Sequence, residues 1–431
     1  MTTLTQGLIN LIRTHPVSSQ DLHKTALFTL DAISNSIAGR NSDPGRKLLE
    51  WSKNRPLDTG RRAFLLGALT HILEVDDIHR ASVVHTGCVT VPAVLAIACE
   101  KELPGDLLLK AVLFGFEAAC RVGMAVGPAH YKVWHNTATC GPYGSAMASA
   151  TLLNLSEPET IDALGNAGTQ SAGVWEFLKT GAMSKHLHAG RAAEAGVVAA
   201  ELAQRGFSGP PEILEGETGF FAATCLDPDP DAVLRDPTSP WQLHQTSIKP
   251  WPSCRHTHPA IDAALSIADQ VDTELVRSVV LKTYDAAIDV CDRQIAVSAY
   301  EAKFSLQHCV AAALHRGRID FSAFDEVARK SSSELAQKVT VEAASPYDKA
   351  YPKAWGAAIE VVLENGNKLT AEAPECRGDP ECALSDIEML EKASDLMRFG
   401  GVNDPEAIIE GVMLAADGTN FPDTSFILQG A

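Results

Sequence analysis

Residues 103–127 read LPGDLLLKAVLFGFEAACRVGMAVG. This long and mostly apolar stretch predicts a helix of the kind that is buried inside a bundle. Residues 18–39 predict a second helix, because Ser and Asp caps precede apolar residues at the helical period and a glycine ends the run. Residues 140–155 and 185–206 are rich in alanine and glycine, which lets helix backbones approach closely. These stretches together indicate a large helical domain.

The pattern changes after a group of prolines at residues 237–252. β-Branched strands are predicted at the start of residues 275–291 and over 338–343, and residues 357–373 predict a hairpin that turns at Asn365–Asn367. A helix is predicted between them, over 299–317. The predicted fold is therefore mainly α: a helical domain formed by residues 1–247 and 375–431, with a smaller inserted α+β domain, residues 248–374.

Composition and charge limit the possible functions. The 431 residues carry a net charge of −18, with 45% hydrophobic and 21% charged residues, which is typical of a globular protein. Such an acidic surface repels nucleic acid and anionic lipid, so we expect neither as a partner. The first residues lack the pattern of a secretory signal, and the ten scattered cysteines are typical of reduced thiols, so we expect a cytoplasmic protein.

Two polar segments in the helical part could carry chemistry. In LEVDDIHRASVVHTG (73–87), the acidic residues and histidines could bind a metal or orient an imidazole, but a solvated acidic turn is the alternative. In KVWHNTATCGPYG (132–144), His135 precedes a predicted helix that begins near Asn136. An imidazole there tends to stay neutral and could act as a base; a histidine packed against Trp134 is the alternative.

Two further segments are rich in cations. On a helix that begins near Ser184, Lys185, His188 and Arg191 would lie close to one face, where they could bind a carboxylate ligand or pair with an internal acid such as Glu194. In KPWPSCRHTHPAID (249–262), two alternating histidines could bind a metal if the segment were a strand. An acid–base and anion-binding wall is the preferred interpretation there, since neighbouring Lys and Arg would repel a dication.

In this order the four segments resemble the MmgE/PrpD family. The family pattern has an acidic turn followed by a histidine, a W-H-P-T-A helix start, a T-K-x-L-H-x-G-x-A-A helix and a K-x-Y-P-x-C junction. Here these stand as EVDDIHRASVVHTG, WHNTATCGPYGSA, SKHLHAGRAA and KPWPSC, and AKFSLQHCVAAAL and GDPECALSD extend the match. The sequence departs from the pattern at Glu74, Ile78 and Asn136, and has Cys254 where the decarboxylase of the family has histidine.

The resemblance implies that the inserted α+β domain is a lid, that the protein is a homodimer without a metal or organic cofactor, and that its substrate is a small anionic di- or tricarboxylate. Known members are 2-methylcitrate dehydratase, cis-aconitate decarboxylase and iminodisuccinate epimerase, which form or quench a carbanion beside a carboxylate. Carried over to this sequence, the predicted catalytic residues are His85, His135 and Lys185, and the departure at Cys254 adds a fourth candidate. The predicted substrate-binding residues are Glu74, Asp77, Lys249, Arg255 and His308.

We expect His85 and His135 to act as base and acid, and lysines with Arg255 to hold substrate carboxylates. Epimerisation needs proton donors on opposite faces of one carbon, and a thiol at Cys254 could supply one of them. The sequence therefore favours an epimerase of an imino- or amino-dicarboxylate. A 2-methylcitrate-type dehydratase, a cis-aconitate-type decarboxylase, a catalytically silent carboxylate-binding protein and a metal-dependent lyase remain alternatives.

Overall fold

A computed structural model describes residues 2–429 of the chain. The chain divides into two compact units, the first made of Met1–Ser247 with Ser385–Ala431 and the second of Ile248–Leu384. Each unit is described by itself below. The described residues are mostly helical, with short strands concentrated in the second unit, so the predicted mainly α fold with a smaller α+β part is confirmed.

The helices, in chain order, are α1 Leu4–Thr14, α2 Ser19–Gly39, α3 Asp43–Ser52, α4 Thr59–His71, α5 Gly87–Ala98, α6 Gly105–Ala125, α7 Pro128–Tyr131, α8 Asn136–Leu152, α9 Glu157–Gly168, α10 Ser184–Ala203, α11 Phe220–Thr224, α12 His258–Leu265, α13 Asp285–Cys291, α14 Ala299–Ala302, α15 Leu306–Arg316, α16 Glu326–Ser331, α17 Ser333–Gln337, α18 Tyr347–Ala350, α19 Asp386–Phe399 and α20 Glu406–Leu414. The strands are β1 Ile78–His79, β2 Thr246–Ser247, β3 Val276–Thr283, β4 Val339–Ala343, β5 Ala357–Leu363 and β6 Lys368–Ala373. Short 3₁₀ turns connect several of these elements.

The predicted helix boundaries in the first unit follow from local capping. Ser18 and Asp21 form a reciprocal capping box at the start of α2, which satisfies two backbone N–H groups that the first helical turn leaves unpaired. Helix α6 begins directly after Pro104, and nearly all of its residues beyond the first turn are buried. Both helices match the ranges predicted from the sequence within two residues at each end, so these predictions are confirmed.

Small residues bring α8 and α10 into close contact, as the sequence predicted. A Cβ atom placed on Gly196 of α10 would lie 2.1 Å from Ser145 Oγ of α8, a distance that no side chain can occupy. The same Ser145 hydroxyl donates a hydrogen bond to the Ala192 carbonyl at 2.6 Å. This contact joins α8, which begins beside His135, to α10, which carries Lys185 in its first turn. Two predicted site residues are therefore mounted on one rigid helix pair.

The second unit is built on a four-stranded sheet in the order β4–β3–β5–β6. Strands β3 and β4 are parallel, and the other two pairs are antiparallel. The sheet buries Val279, Leu281, Ile359 and Val361 in a core shared with α12 and α15. The predicted hairpin is confirmed, with Gly366 in the left-handed conformation (φ 85°) at its turn.

Two boundaries in the second unit differ from the sequence-based expectation. The helix predicted over 299–317 is two helices, α14 and α15, because the Ser305 hydroxyl accepts the N–H of His308 and begins a new helix. The predicted α+β domain ended at 374, whereas the compact unit continues to Leu384. The Ile248 N–H donates to the Gly378 carbonyl at 2.9 Å, which holds this later segment in the second unit.

A search of the described residues for membrane spans found no helix with the length and apolar character that crossing a bilayer requires.

Candidate active site

The acidic turn between α4 and α5 is tied to the start of α5. Both carboxylate oxygens of Asp77 accept the N–H of Gly87, at 2.9 and 3.0 Å, and one also accepts the N–H of Thr86 at 3.2 Å. A Cβ on Gly87 would lie 2.6 Å from Asp77 Oδ1, so only glycine fits this position. Burial and the neighbouring Asp76 carboxylate raise the pKa of Asp77, while the Gly87 N–H opposes this increase.

These contacts show a structural role for Asp77. The sequence assigned it to substrate binding, but its oxygens are engaged by the backbone at a helix N-terminus. Its own carbonyl accepts a hydrogen bond from His85 Nδ1 at 2.7 Å. We therefore infer that Asp77 positions the turn and the imidazole of His85.

Asp76 organises two imidazoles inside the first unit. Its Oδ2 lies 2.7 Å from His71 Nδ1 and 3.4 Å from His85 Nδ1, and the carboxylate is fully buried. Burial alone would raise the pKa of Asp76, but the imidazoles of His71 and His85 outweigh burial and hold this pKa well below its usual range. The site therefore contains a buried carboxylate that keeps its charge.

These hydrogen bonds define the tautomers of the two histidines. His71 donates from Nδ1 to Asp76, and His85 donates from Nδ1 to the Asp77 carbonyl. With Nδ1 as the donor, Nε2 is the nitrogen that is left on each ring for exchanging a proton. Among the described residues, no hydrogen-bond partner is found for His71 Nε2 although the atom is buried. Such a nitrogen is available as a proton acceptor or a ligand.

His135 completes a cluster of three imidazoles, which we call the histidine cluster (His71, His85 and His135). It precedes α8 at Asn136, as predicted, and its ring stacks on that of His71 with centroids 5.7 Å apart. Trp175, rather than Trp134, packs against it, at 4.7 Å. Burial, then the charge of Lys185, lowers the pKa of His135 well below its usual value, so the ring is neutral near pH 7.

Lys185 pairs with an acid rather than standing alone. Its Nζ lies 2.6 Å from both carboxylate oxygens of Glu74, and the two residues are 5% and 2% exposed. Glu74 adopts the left-handed conformation (φ 62°), which turns the chain after α4. The predicted carboxylate-binding lysine and the predicted substrate-binding glutamate thus neutralise each other, which is one of the alternatives that the sequence left open.

The cationic face predicted on α10 is divided. Arg191 is exposed and pairs with Glu194 on the same helix, so it does not share the environment of Lys185. His188 is half-buried, with its Nδ1 3.2 Å from His135 Nδ1. Burial, followed by the imidazole of His71 and the charge of Lys185, lowers the pKa of His188 to about 4. His188 is therefore neutral at pH 7 and supports His135 rather than adding charge.

His71 was missed from the sequence. It is the last residue of α4 and stands five positions before Asp76, to which it is hydrogen-bonded. The sequence LTHILEVDD shows this spacing, with a histidine a few residues ahead of an acidic pair.

The predicted site residues of the second unit are mostly engaged in structural contacts. Arg255 is buried and donates to the Asp379 carboxylate and, at 3.2 Å, to the Arg377 carbonyl. Its charge is therefore matched by a buried acid, and its role as a substrate cation stays a prediction. Lys249 is also buried and remains a predicted carboxylate-binding residue.

The two histidines of the 249–262 segment do not form a metal site of the predicted kind. The segment is a 3₁₀ turn leading into α12 rather than a strand, so the rings point to different partners. His256 stacks on Trp355 with centroids 4.6 Å apart and lies 2.9 Å from the Tyr284 hydroxyl. His258 Nδ1 accepts from Arg255 at 3.0 Å.

Cys254 and His308 also lie in the second unit. The Cys254 N–H donates to the Lys303 carbonyl at 2.9 Å, and its partly buried thiol neighbours that of Cys291. His308 Nε2 donates to the Ala323 carbonyl at 2.9 Å, and burial lowers the pKa of this imidazole. His308 is therefore buried in this unit, and its role in substrate binding stays a prediction.

Two family models match the chain. The MmgE/PrpD N-terminal domain matches residues 8–232, and the MmgE/PrpD C-terminal domain matches residues 251–415. The first match contains the whole histidine cluster together with Glu74, Asp76, Asp77 and Lys185.

Curated relatives carry one enzyme name. Cis-aconitate decarboxylase of Homo sapiens is 28% identical over 77% of this chain and 71% of its own length. The enzyme of the same name from Mus musculus is 24% identical over 90% of this chain and 84% of its own length, and that from Aspergillus terreus is 24% identical over 81% and 77%. Decarboxylases are lyases, so the prediction that the protein is a lyase or an isomerase is confirmed. The chain belongs to the MmgE/PrpD family.

Proposed function

We propose that the protein is a lyase that removes CO₂ from a small tricarboxylate of the cis-aconitate type. The observation that carries the proposal is the histidine cluster, in which Asp76 and the Asp77 carbonyl fix the Nδ1 protons of His71 and His85. General acid–base catalysis needs an imidazole whose orientation is fixed in this way. The names of the relatives favour decarboxylation over the other reactions considered.

The proposed decarboxylation breaks one carbon–carbon bond and forms one carbon–hydrogen bond. The bond between the substrate carbon and the departing carboxylate breaks, and CO₂ leaves without the bonding electron pair. That pair moves into the conjugated system beside a remaining carboxylate, and one proton from the protein is added to carbon. The products are CO₂ and an unsaturated dicarboxylate with a terminal methylene group. The enzyme must therefore hold carboxylates and deliver one proton.

We assign the proton transfer to His85 and His135. Their rings lie 6.3 Å apart between centroids, close enough to face two positions of one small substrate. His85 is slightly exposed, whereas His135 is almost fully buried, so the two imidazoles differ in their access to solvent. Removing a residue that transfers the proton should lower turnover by about 10²–10⁴-fold.

Lys185 is the proposed cation for a remaining carboxylate. Lys185 meets Glu74 at 2.6 Å, so we expect an arriving carboxylate to join an existing ion pair. A preorganised ammonium in a water-poor site stabilises developing negative charge better than water does. Lys249 is buried in the second unit, and its binding of a carboxylate stays a prediction.

Epimerisation of an imino- or amino-dicarboxylate is the second candidate. Cys254 is the observation that favours it, because a partly buried thiol stands at the junction position where the decarboxylase pattern has histidine. A thiol can take or deliver a proton on the face opposite to an imidazole.

The homodimer and the cytoplasmic location inferred from the sequence stay predictions.

The test is proton NMR in D₂O with separate samples of cis-aconitate, 2-methylcitrate, citrate and iminodisuccinate. We expect new terminal methylene signals and released CO₂ with cis-aconitate, and a loss of about 10²-fold or more in His135→Asn. His244→Gln is the matched control, since His244 pairs with Asp21 in the same unit outside the histidine cluster. Deuterium entering a Cα–H of iminodisuccinate with inversion, and no reaction of cis-aconitate, would instead establish the epimerase.

A further inference from the structure

The histidine cluster has the features of a transition-metal site. One ring nitrogen from each of His71, His85 and His135 lies within 4.8 Å of those of the other two, and all three residues are buried. An ion at the centre of such a triangle is at most about 2.8 Å from each nitrogen, compared with about 2.0–2.1 Å in a formed zinc site. Ring movements of under about 1 Å would therefore complete the coordination.

The outer hydrogen bonds are those expected of metal-binding histidines. In such sites each ligating imidazole usually donates its other ring N–H to a carboxylate or a carbonyl, which directs the lone pair toward the metal. His71 donates to Asp76 at 2.7 Å, and His85 donates to the Asp77 carbonyl at 2.7 Å. The Nδ1 atom of His135 is engaged by His188 at 3.2 Å.

Unpartnered nitrogens supply an independent observation. Within residues 2–429, the Nε2 atoms of His71 and His135 are both buried and have no hydrogen-bond partner. A buried polar atom without a partner costs about 1–3 kcal/mol, so such atoms indicate a missing ligand or water. Two of them on stacked imidazoles point to a species that accepts several nitrogen lone pairs at once.

Charge around the cluster permits a cation. Asp76 adds a buried negative charge beside His71 and His85, and the nearby Lys185 is matched by the Glu74 carboxylate. Neutral imidazole ligands favour zinc, copper and nickel, whereas calcium and magnesium prefer oxygen ligands.

We propose that His71, His85 and His135 bind one divalent transition-metal ion of the zinc type. Asp76 would orient the His71 ring through its hydrogen bond with Nδ1. Because the ion would occupy nitrogens of His85 and His135, it would exclude the proposed proton transfer while bound. The inference goes beyond the proposed decarboxylase and does not depend on it. Its test must measure binding rather than turnover, since tricarboxylate substrates themselves chelate metals.

The first experiment is calorimetric titration of the chelator-treated protein with Zn²⁺. We expect one ion per chain, binding weakened at least tenfold in His71→Gln, and binding weakened about 10–100-fold in Asp76→Asn, which removes the outer carboxylate. His244→Gln, which disrupts another histidine–carboxylate pair of the first unit, should bind Zn²⁺ like the wild type. No saturable binding by the wild type, or full binding by His71→Gln, would overturn the proposal.

Cobalt substitution identifies the ligands. Three imidazoles should give visible d–d bands without a thiolate-to-cobalt charge-transfer band. His71, Asp76 and Cys88 form an alternative set whose ligand atoms are also within 4.8 Å of one another. A charge-transfer band that disappears in Cys88→Ala would show that the ion binds to this set instead, and would overturn the assignment. Circular dichroism verifies folding; if His71→Gln does not fold, His135→Gln tests the same site.

Discussion

Replacing Lys185 by methionine separates its structural role from its proposed role in binding carboxylate. Methionine keeps much of the length of the side chain but removes the charge that meets both oxygens of Glu74 at 2.6 Å. The variant leaves a glutamate that is 2% exposed without its partner. Breaking a buried ion pair on one side costs about 3–5 kcal/mol, most of it from the unpaired charge that remains.

The double variant Lys185→Met/Glu74→Gln removes both charges. Because replacing a whole buried pair by uncharged groups is often close to neutral, we expect it to recover most of the lost stability. Arg191→Met is the matched control on the same helix, since its pair with Glu194 is surface-exposed and worth about 0.2–1 kcal/mol.

Urea denaturation gives the free energy of unfolding of the wild type and of the three variants, and turnover is measured on the same samples. A stable double variant with turnover reduced at least tenfold would assign Lys185, with Glu74, to substrate binding or catalysis. Normal turnover in the double variant would show that the pair is purely structural. If Lys185→Met costs no more than Arg191→Met, the reasoning from burial is refuted.

Three further predictions concern stability. Burial lowers the pKa of His79 to about 4 from 6.5, so the unfolded state binds more protons between these values and the free energy of unfolding should fall by about 3 kcal/mol as the pH drops from 6.5 to 4. Denaturation at a series of pH values should show a smaller fall in His79→Gln, and an unchanged fall would contradict the assignment. Gly87→Ala should cost about 1–3 kcal/mol, because its Cβ meets Asp77 Oδ1 at 2.6 Å; a thermal melt like that of the wild type would show that the turn adapts. Arg255→Met should cost about 3–5 kcal/mol by leaving Asp379 buried without its partner, and Asp379→Asn should show a comparable loss; unchanged urea midpoints would argue against this pair.

Features that depend on local sequence were predicted well. The capping box at Ser18 and the turn at Gly366 are set by a few adjacent residues, so the sequence alone located α2 and the β5–β6 hairpin. The alanines and glycines of α8 and α10 predicted that helix backbones approach closely, and Gly196 and Ser145 make such a contact. The break at Ser305 was missed because one serine hydroxyl decides it.

Features that depend on distant partners were not predictable in the same way. Lys185 and Glu74 are 111 positions apart, so the sequence suggested an internal acid but could not say which one. Arg255 meets Asp379 across 124 positions, and its pairing was not foreseen. The choice between an epimerase and a decarboxylase depends on how several side chains surround one substrate, which the single thiol of Cys254 does not determine.

The tie between Asp77 and α5 also provides a spectroscopic reporter. The Gly87 amide is held by Asp77, and the carbonyl of the same aspartate holds the His85 ring. A glycine amide resonance is readily recognised in a nitrogen–proton correlation spectrum. Its exchange with solvent would therefore follow, in one signal and without substrate, how often the turn that carries His85 comes apart.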